Sequence, residues 1–211
     1  MNPLDSPALH RATAVGLLLA VGLAGAAGCS SAADPAPRNA PARRSAPAVS
    51  PTPSSTASAT PTDIGWVQLM TPMNQQAVKL LTLAAERASE PRVRAFAVRL
   101  RTGHESELDR LRDLLTRMGL PLTDVHAGHD MPGMVTGQDL SAAHAAEGPA
   151  FDRLVLARIR DHLRHSARVS RSETTAGGRA DARDLARALV TARETFLAEL
   201  ERLPGAVRAL G

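Results

Sequence analysis

Tyrosine is absent from this 211-residue chain, tryptophan occurs once, and aromatic residues make up only 2% of it. So small an aromatic share disfavours a β-sandwich, and the dominant alanine, leucine and arginine suit helices packed through small and aliphatic side chains. A single cysteine, Cys29, excludes an intrachain disulfide. No G-x-S-x-G, Gly-rich phosphate loop or H-E-x-x-H occurs. The several inward Glu and Glu-x-x-His sets of a ferritin-like di-iron centre are also missing. An enzyme is therefore not expected. The formal net charge is +4 and the pI about 10.7. Most arginines are interleaved with acids on helical segments, so a nucleic-acid partner is not expected either. A solvated helix face, or contact with anionic lipid or cell-wall polymer, both remain open.

The start of the chain reads as an address. His10 and Arg11 precede an apolar run, Ala12 to Gly28, that ends in small residues before Cys29, which is the order of a secretory signal. At 17 residues the run is short for a membrane span. The stretch AAGC resembles the lipobox of bacterial lipoproteins, with Ala26 where leucine usually stands. The resemblance implies cleavage at residue 28, lipidation of Cys29 and a place on the outer side of the cell membrane; a plain cleaved signal is the alternative. Residues 29–62 are almost entirely Ser, Ala, Pro and Thr. Such a segment has too little apolar bulk to offset its ordering entropy and is expected to be a disordered tether.

From Asp63 the pattern turns helical, and residues 63–211 are expected to form one all-α domain. Helix one is expected over about 63–88, with Trp66, Leu69, Met70, Met73, Ala77, Leu80, Leu81 and Ala84 on one face and an interruption or kink at Pro72. Ser89 is a plausible N-cap for helix two, whose stripe carries Val93, Phe96, Leu100, His104, Leu108, Leu111 and Leu115 and ends before Gly119. A short helix near 139–146 is followed by long helices over about 149–173 and 179–203, divided at Gly177-Gly178. A shift of 89 residues lays the last two long helices over the first two in the same helical phase, pairing Asp63 with Asp152, Leu100 with Leu189 and Glu105 with Glu194. The expected architecture is a four-helix bundle built from two duplicated helical hairpins.

Two groups of side chains draw attention. Counting 100° per residue turns His104 and His162 inward, with Glu107 at the edge of one stripe and His165 at the flank of another. The 89-residue shift places His162 over Met73, and Met70 lies one turn from Met73. Imidazole, thioether and carboxylate converging in a bundle can hold a metal, and thioether beside imidazole favours copper(I). The second group is the loop DVHAGHDMPGM, where His126, His129, Met131 and Met134 lie within nine residues. It lacks the paired thiolates of a zinc site. For both groups a structural reading stays open: hydrogen-bonded core histidines, gap-filling methionines, and a turn at Pro132-Gly133.

The segments WVQLMTPMNQQAV, SEPRVRAFAVRLRTGHESEL, HAGHDMPGM and FDRLVLARIRDH resemble the domain of unknown function 305 family, over Asp63 to about Leu203. The resemblance implies an exported, ferritin-like helical bundle, with copper linked to some members. Family members typically carry a His-His pair in the first helix, another in the third, and Gln-x-x-Glu in the second and fourth. Here those positions read Met73-Asn74, His162-Leu163, His104 to Glu107, and Arg193 to Phe196. Either the site is rebuilt with softer ligands or it is lost. The function expected is a lipid-anchored protein that binds copper or another transition metal in handling or protection. The alternative is a metal-free module that engages an envelope or protein partner through its arginine-rich third long helix.

Overall fold

A computed structural model describes residues 58–203; the signal, Cys29 and most of the tether lie outside that range. The described residues form five helices and no strand, as the all-α expectation requires: α1 (Pro61–Arg87), α2 (Pro91–Arg117), α3 (Gly137–Ala145), α4 (Gly148–Ala176) and α5 (Ala180–Leu200). The four long helices form two hairpins, α1 with α2 and α4 with α5. These pack together through α1 on α4 and α2 on α5, and the short α3 lies against α1 and α4.

Helix starts follow from local chemistry. The Thr60 hydroxyl accepts from the Asp63 N–H while the Asp63 carboxylate accepts from the Thr60 N–H, a capping box that starts α1 two residues before the expected boundary. The interruption expected at Pro72 does not occur, and α1 runs through it. One missing backbone bond is outweighed by the buried face of Trp66, Val67, Met70, Met73, Ala77 and Leu80. Glu90, and not Ser89, is the N-cap of α2, with Pro91 following it. Ser89 instead donates through its hydroxyl and its N–H to Asp152.

The duplication is visible in how the hairpins hold each other. Asp63 of α1 accepts from the Gly178 and Arg179 N–H groups at the start of α5. Asp152 of α4 accepts from the Ser89 and Glu90 N–H groups at the start of α2. Both the acceptors and the donors are related by the same 89-residue shift. Each hairpin therefore caps the second helix of the other, where the helix dipole favours a carboxylate.

The core divides along the bundle. One apolar cluster contains Leu80, Leu81, Phe96, Leu100, Phe151, Val155 and Ile159. The other contains Trp66, Val67, Met70, Met73, Leu111, Leu114 and Leu189. Between the two, on each long helix, lies a layer of buried polar residues: Asn74, His104, Glu107, His162, Ser166 and Arg193.

Candidate functional site: a polar layer across the bundle

Helical spacing sets up this layer in two adjoining rungs. His104 and Glu107 are one turn apart on α2, as are His162 and Ser166 on α4, so these two helices each contribute one residue to each rung. In the first rung the two imidazoles face each other with Nε2 atoms 3.0 Å apart. The Nδ1 of His104 lies 3.1 Å from the Leu100 carbonyl, and the Nδ1 of His162 lies 3.1 Å from the Gly133 carbonyl. Carbonyls only accept, and a neutral imidazole has one N–H. Three nitrogen contacts therefore share two hydrogens, and the pair is one hydrogen short. A proton does not fill the gap at neutral pH. Burial, then the Arg193 charge, then His162 hold the His104 pKa well below its usual range. Burial and then Arg193 lower that of His162 to about 3.

The second rung is closed on itself. The Arg193 guanidinium donates through Nη1 to Glu107 at 2.8 Å, through Nη2 to Asn74 Oδ1 at 2.8 Å, and through Nε to Ser166 Oγ at 3.0 Å. Asn74 Nδ2 donates back to Glu107 Oε2 at 3.1 Å. Arg193 has no exposed surface and Glu107 little, so this is a largely desolvated ion pair with its hydrogen-bonding groups met.

The loop meets the core through one glycine. Gly133 has φ of +79°, and a Cβ there would run into His165 on α4. This close approach seats the Gly133 carbonyl on His162. His126 and His129 stack obliquely, with ring centroids 6.2 Å apart. They line a cleft of about 400 Å³ with Asp124, Asp130 and Met134. A second cleft of about 390 Å³ on the other side of the turn is lined by Met131, Met134, Asp161 and His165.

The residues singled out from sequence thus fall into separate places. His104 and His162 come together. Glu107 is committed to Arg193 and Asn74. Met70 and Met73 lie in the second apolar cluster, with the Met70 sulfur accepting from the Ser170 hydroxyl at 3.8 Å. His165, Met131 and Met134 border the loop clefts. Among the described residues no three His, Cys, Asp or Glu side chains converge as a metal-holding group. The two imidazoles face each other at hydrogen-bond distance, and the oxygens of Glu107 and Asn74 already face donors. The closed network of Asn74, Ser166 and Arg193 was not foreseen. Its signal was an arginine on the apolar stripe of α5 between Leu189 and Leu200.

A second buried acid stands at the hairpin junction. Both Glu173 carboxyl oxygens are buried and meet no donor. Burial, and then the neighbouring Asp63 carboxylate, raise the Glu173 pKa to about 8, with Arg183 opposing. For Asp63 burial works upward, but hydrogen bonds from Thr60, Arg179 and Glu173 outweigh it and hold its pKa well below the carboxylate range. A pKa raised this far favours the protonated form of Glu173 beside the Asp63 carboxylate at neutral pH.

Helical hairpins exchanging carboxylate caps around a buried polar layer define the chain as a duplicated helical-bundle protein. The sequence profile described as a domain of unknown function, DUF305, matches residues 63–204, and the chain belongs to that family. A crystal structure of a DUF305 protein from Streptomyces coelicolor, named as a candidate secreted protein, is similar in fold. It has a TM-score of 0.59 and 20% identity, over 66% of this chain and 89% of that one. A DUF305 fragment from Deinococcus radiodurans has a TM-score of 0.61 and 20% identity, over 69% of this chain and 96% of that one. No curated protein matches the chain.

Proposed function

We propose that this protein is an extracytoplasmic lipoprotein, held to the membrane by a lipid on Cys29, that binds copper(I) in metal handling or protection and catalyses no reaction. The observation that carries the metal reading is the facing His104–His162 pair, with both Nδ1 atoms set on carbonyls and one hydrogen too few for the three contacts. The loop supports it with imidazole and thioether groups on open clefts, a donor set suited to soft ions. The lipobox-like AAGC, and a similar fold in a candidate secreted protein, support the location. Among the described residues no helix is long and apolar enough to cross a membrane, so attachment in this reading rests on the lipid.

Titration of the full chain with copper(I) under reducing conditions, against a competing chelator, tests this reading. Binding lost in a His104→Ala, His162→Ala double variant places the ion in the core. Binding lost instead in His126→Ala, His129→Ala places it in the loop. No binding by the parent protein overturns the metal reading. Mass spectrometry of Cys29 tests the anchor, which an unmodified cysteine overturns.

One observation favours a second reading, a metal-free module with an envelope or protein partner: the Arg193 ion pair completes the core without a metal. Charge reversal of exposed Arg153, Arg164 and Arg168 on α4 would then weaken partner binding in a salt-dependent way.

A further inference from the structure

The outward side of α4 carries a run of like charge. At about 100° per residue, Arg153, Arg160, Arg164, Arg168 and Arg171 fall within about 80° of one another, on a stripe that rises about 27 Å along the helix. Arg153, Arg164 and Arg168 are exposed and meet no carboxylate among the described residues. Arg171 pairs with Glu194 of α5 at 2.7 Å. Between Arg153 and Arg171 the only acid of α4 is Asp161, which is half-buried and borders the loop cleft with His165. On α2, by contrast, Arg99, Arg101, Arg112 and Arg117 each stand against a carboxylate.

We infer that this stripe is a docking surface for anionic phospholipid headgroups and lays α4 along the membrane that carries the protein. The inference rests on the membrane location proposed above and not on the metal reading. Guanidinium groups present a planar fork that matches phosphate oxygens, and three of them here have no carboxylate to satisfy them. The rest of the stripe is small: Ala150, Ala157 and Thr175 share it, and the large exposed apolar side chains among the described residues, Val98, Leu122 and Val125, all stand elsewhere. A protein interface centres on large anchors set into pockets, so a stripe of charge without anchors suits a charged plane. The tether also enters at the right place. Asp63, at the start of α1, accepts from the Gly178 and Arg179 N–H groups just past the end of α4. The chain from Cys29 therefore joins the domain beside the end of α4 that carries Arg168 and Arg171. Residues 30–59 separate Cys29 from the Thr60 cap, and a flexible chain of that length has a root-mean-square reach of about 30 Å. An anchor so near holds the stripe at high effective concentration against the headgroups, so that weak individual contacts suffice.

The test uses the mature chain, residues 29–211, with Cys29→Ser so that no lipid contributes. Co-sedimentation with vesicles of mixed phosphatidylglycerol and phosphatidylcholine is compared with vesicles of phosphatidylcholine alone. Preference for the anionic vesicles, lost at high salt, is the expected result. R153Q/R164Q/R168Q is expected to weaken that binding about 100-fold, at about fivefold per basic residue. R92Q/R94Q/R110Q removes the same charge from exposed positions of α2, which packs on α1 and α5 and stands diagonally across the bundle from α4. It is expected to change binding by less than about fivefold. Circular dichroism checks that both variants stay helical; if the α4 triple does not, the single R164Q carries the comparison. Equal binding to the two kinds of vesicle overturns the inference, as does an equal loss in the two triple variants, which assigns binding to net charge. A tighter hold on soluble polyphosphate or polyglutamate than on vesicles at equal anionic charge assigns the stripe to a wall polymer or an acidic protein and also overturns it. Preference for anionic vesicles in a protein whose natural Cys29 proves to carry no lipid upholds the surface while the anchor reading fails.

Discussion

Replacing Glu173 by glutamine isolates the acid–carboxylate pair with Asp63. Glutamine keeps the size of the protonated acid, and its amide N–H can replace the proton donated to Asp63. The folded-state pKa of Glu173 is raised from an ordinary 4.5 to about 8. Between those values the folded state holds a proton that the unfolded chain has released, so stability must fall as pH rises through this window and level off on either side. At about 1.4 kcal/mol per pH unit the full effect approaches roughly 5 kcal/mol. Water entry and the opposing Arg183 reduce it, leaving on the order of 1–3 kcal/mol. Glu173→Gln should therefore match the parent near pH 4.5 and exceed it by that amount at pH 9. The gain corresponds to a thermal midpoint about 2–10 °C higher for a domain of this size. Urea unfolding of both proteins, followed by circular dichroism from pH 4.5 to 9, gives the difference directly. Parallel profiles, or a variant weaker than the parent at pH 9, would refute the protonated pair.

Three further outcomes follow from the same geometry. Gly133→Ala should cost roughly 1–3 kcal/mol through its positive φ and the His165 wall. It should also shift the His162 ring resonances in nuclear magnetic resonance spectra, because the carbonyl that orients that ring moves. Asp152→Ala should lower stability by about 1–2 kcal/mol in urea unfolding, since three hydrogen bonds to Ser89 and Glu90 disappear. Glu107→Gln alone should cost about 3–5 kcal/mol by stranding the Arg193 charge. Adding Arg193→Met should return part of that loss, and strictly additive losses in the double-variant cycle would contradict the pairing.

Much of the framework was legible in the chain because helical periodicity is local. The long helices, the break at Gly177-Gly178, the inward direction of His104 and His162, and the flank position of His165 all follow from counting along one segment. The misplaced details were also local, and tertiary contacts overrode them. Pro72 breaks no helix because the buried face of α1 holds it. Ser89 forgoes capping α2 because Asp152, 63 residues away, accepts its hydroxyl proton. The 89-residue repeat was visible as matching letters, but its physical content is the exchange of Asp63 and Asp152 caps between hairpins.

By itself the sequence determined the class of fold, the start of the helical region to within two residues, and the inward direction of His104 and His162. Only the tertiary structure decided what those side chains meet. Periodicity orients a residue about its own helix axis and says nothing of which helix stands opposite. The arrangement of α1, α2, α4 and α5 around the core gave Glu107 to Arg193, set His104 against His162, left Met70 and Met73 in an apolar cluster, and seated the Gly133 carbonyl on an imidazole.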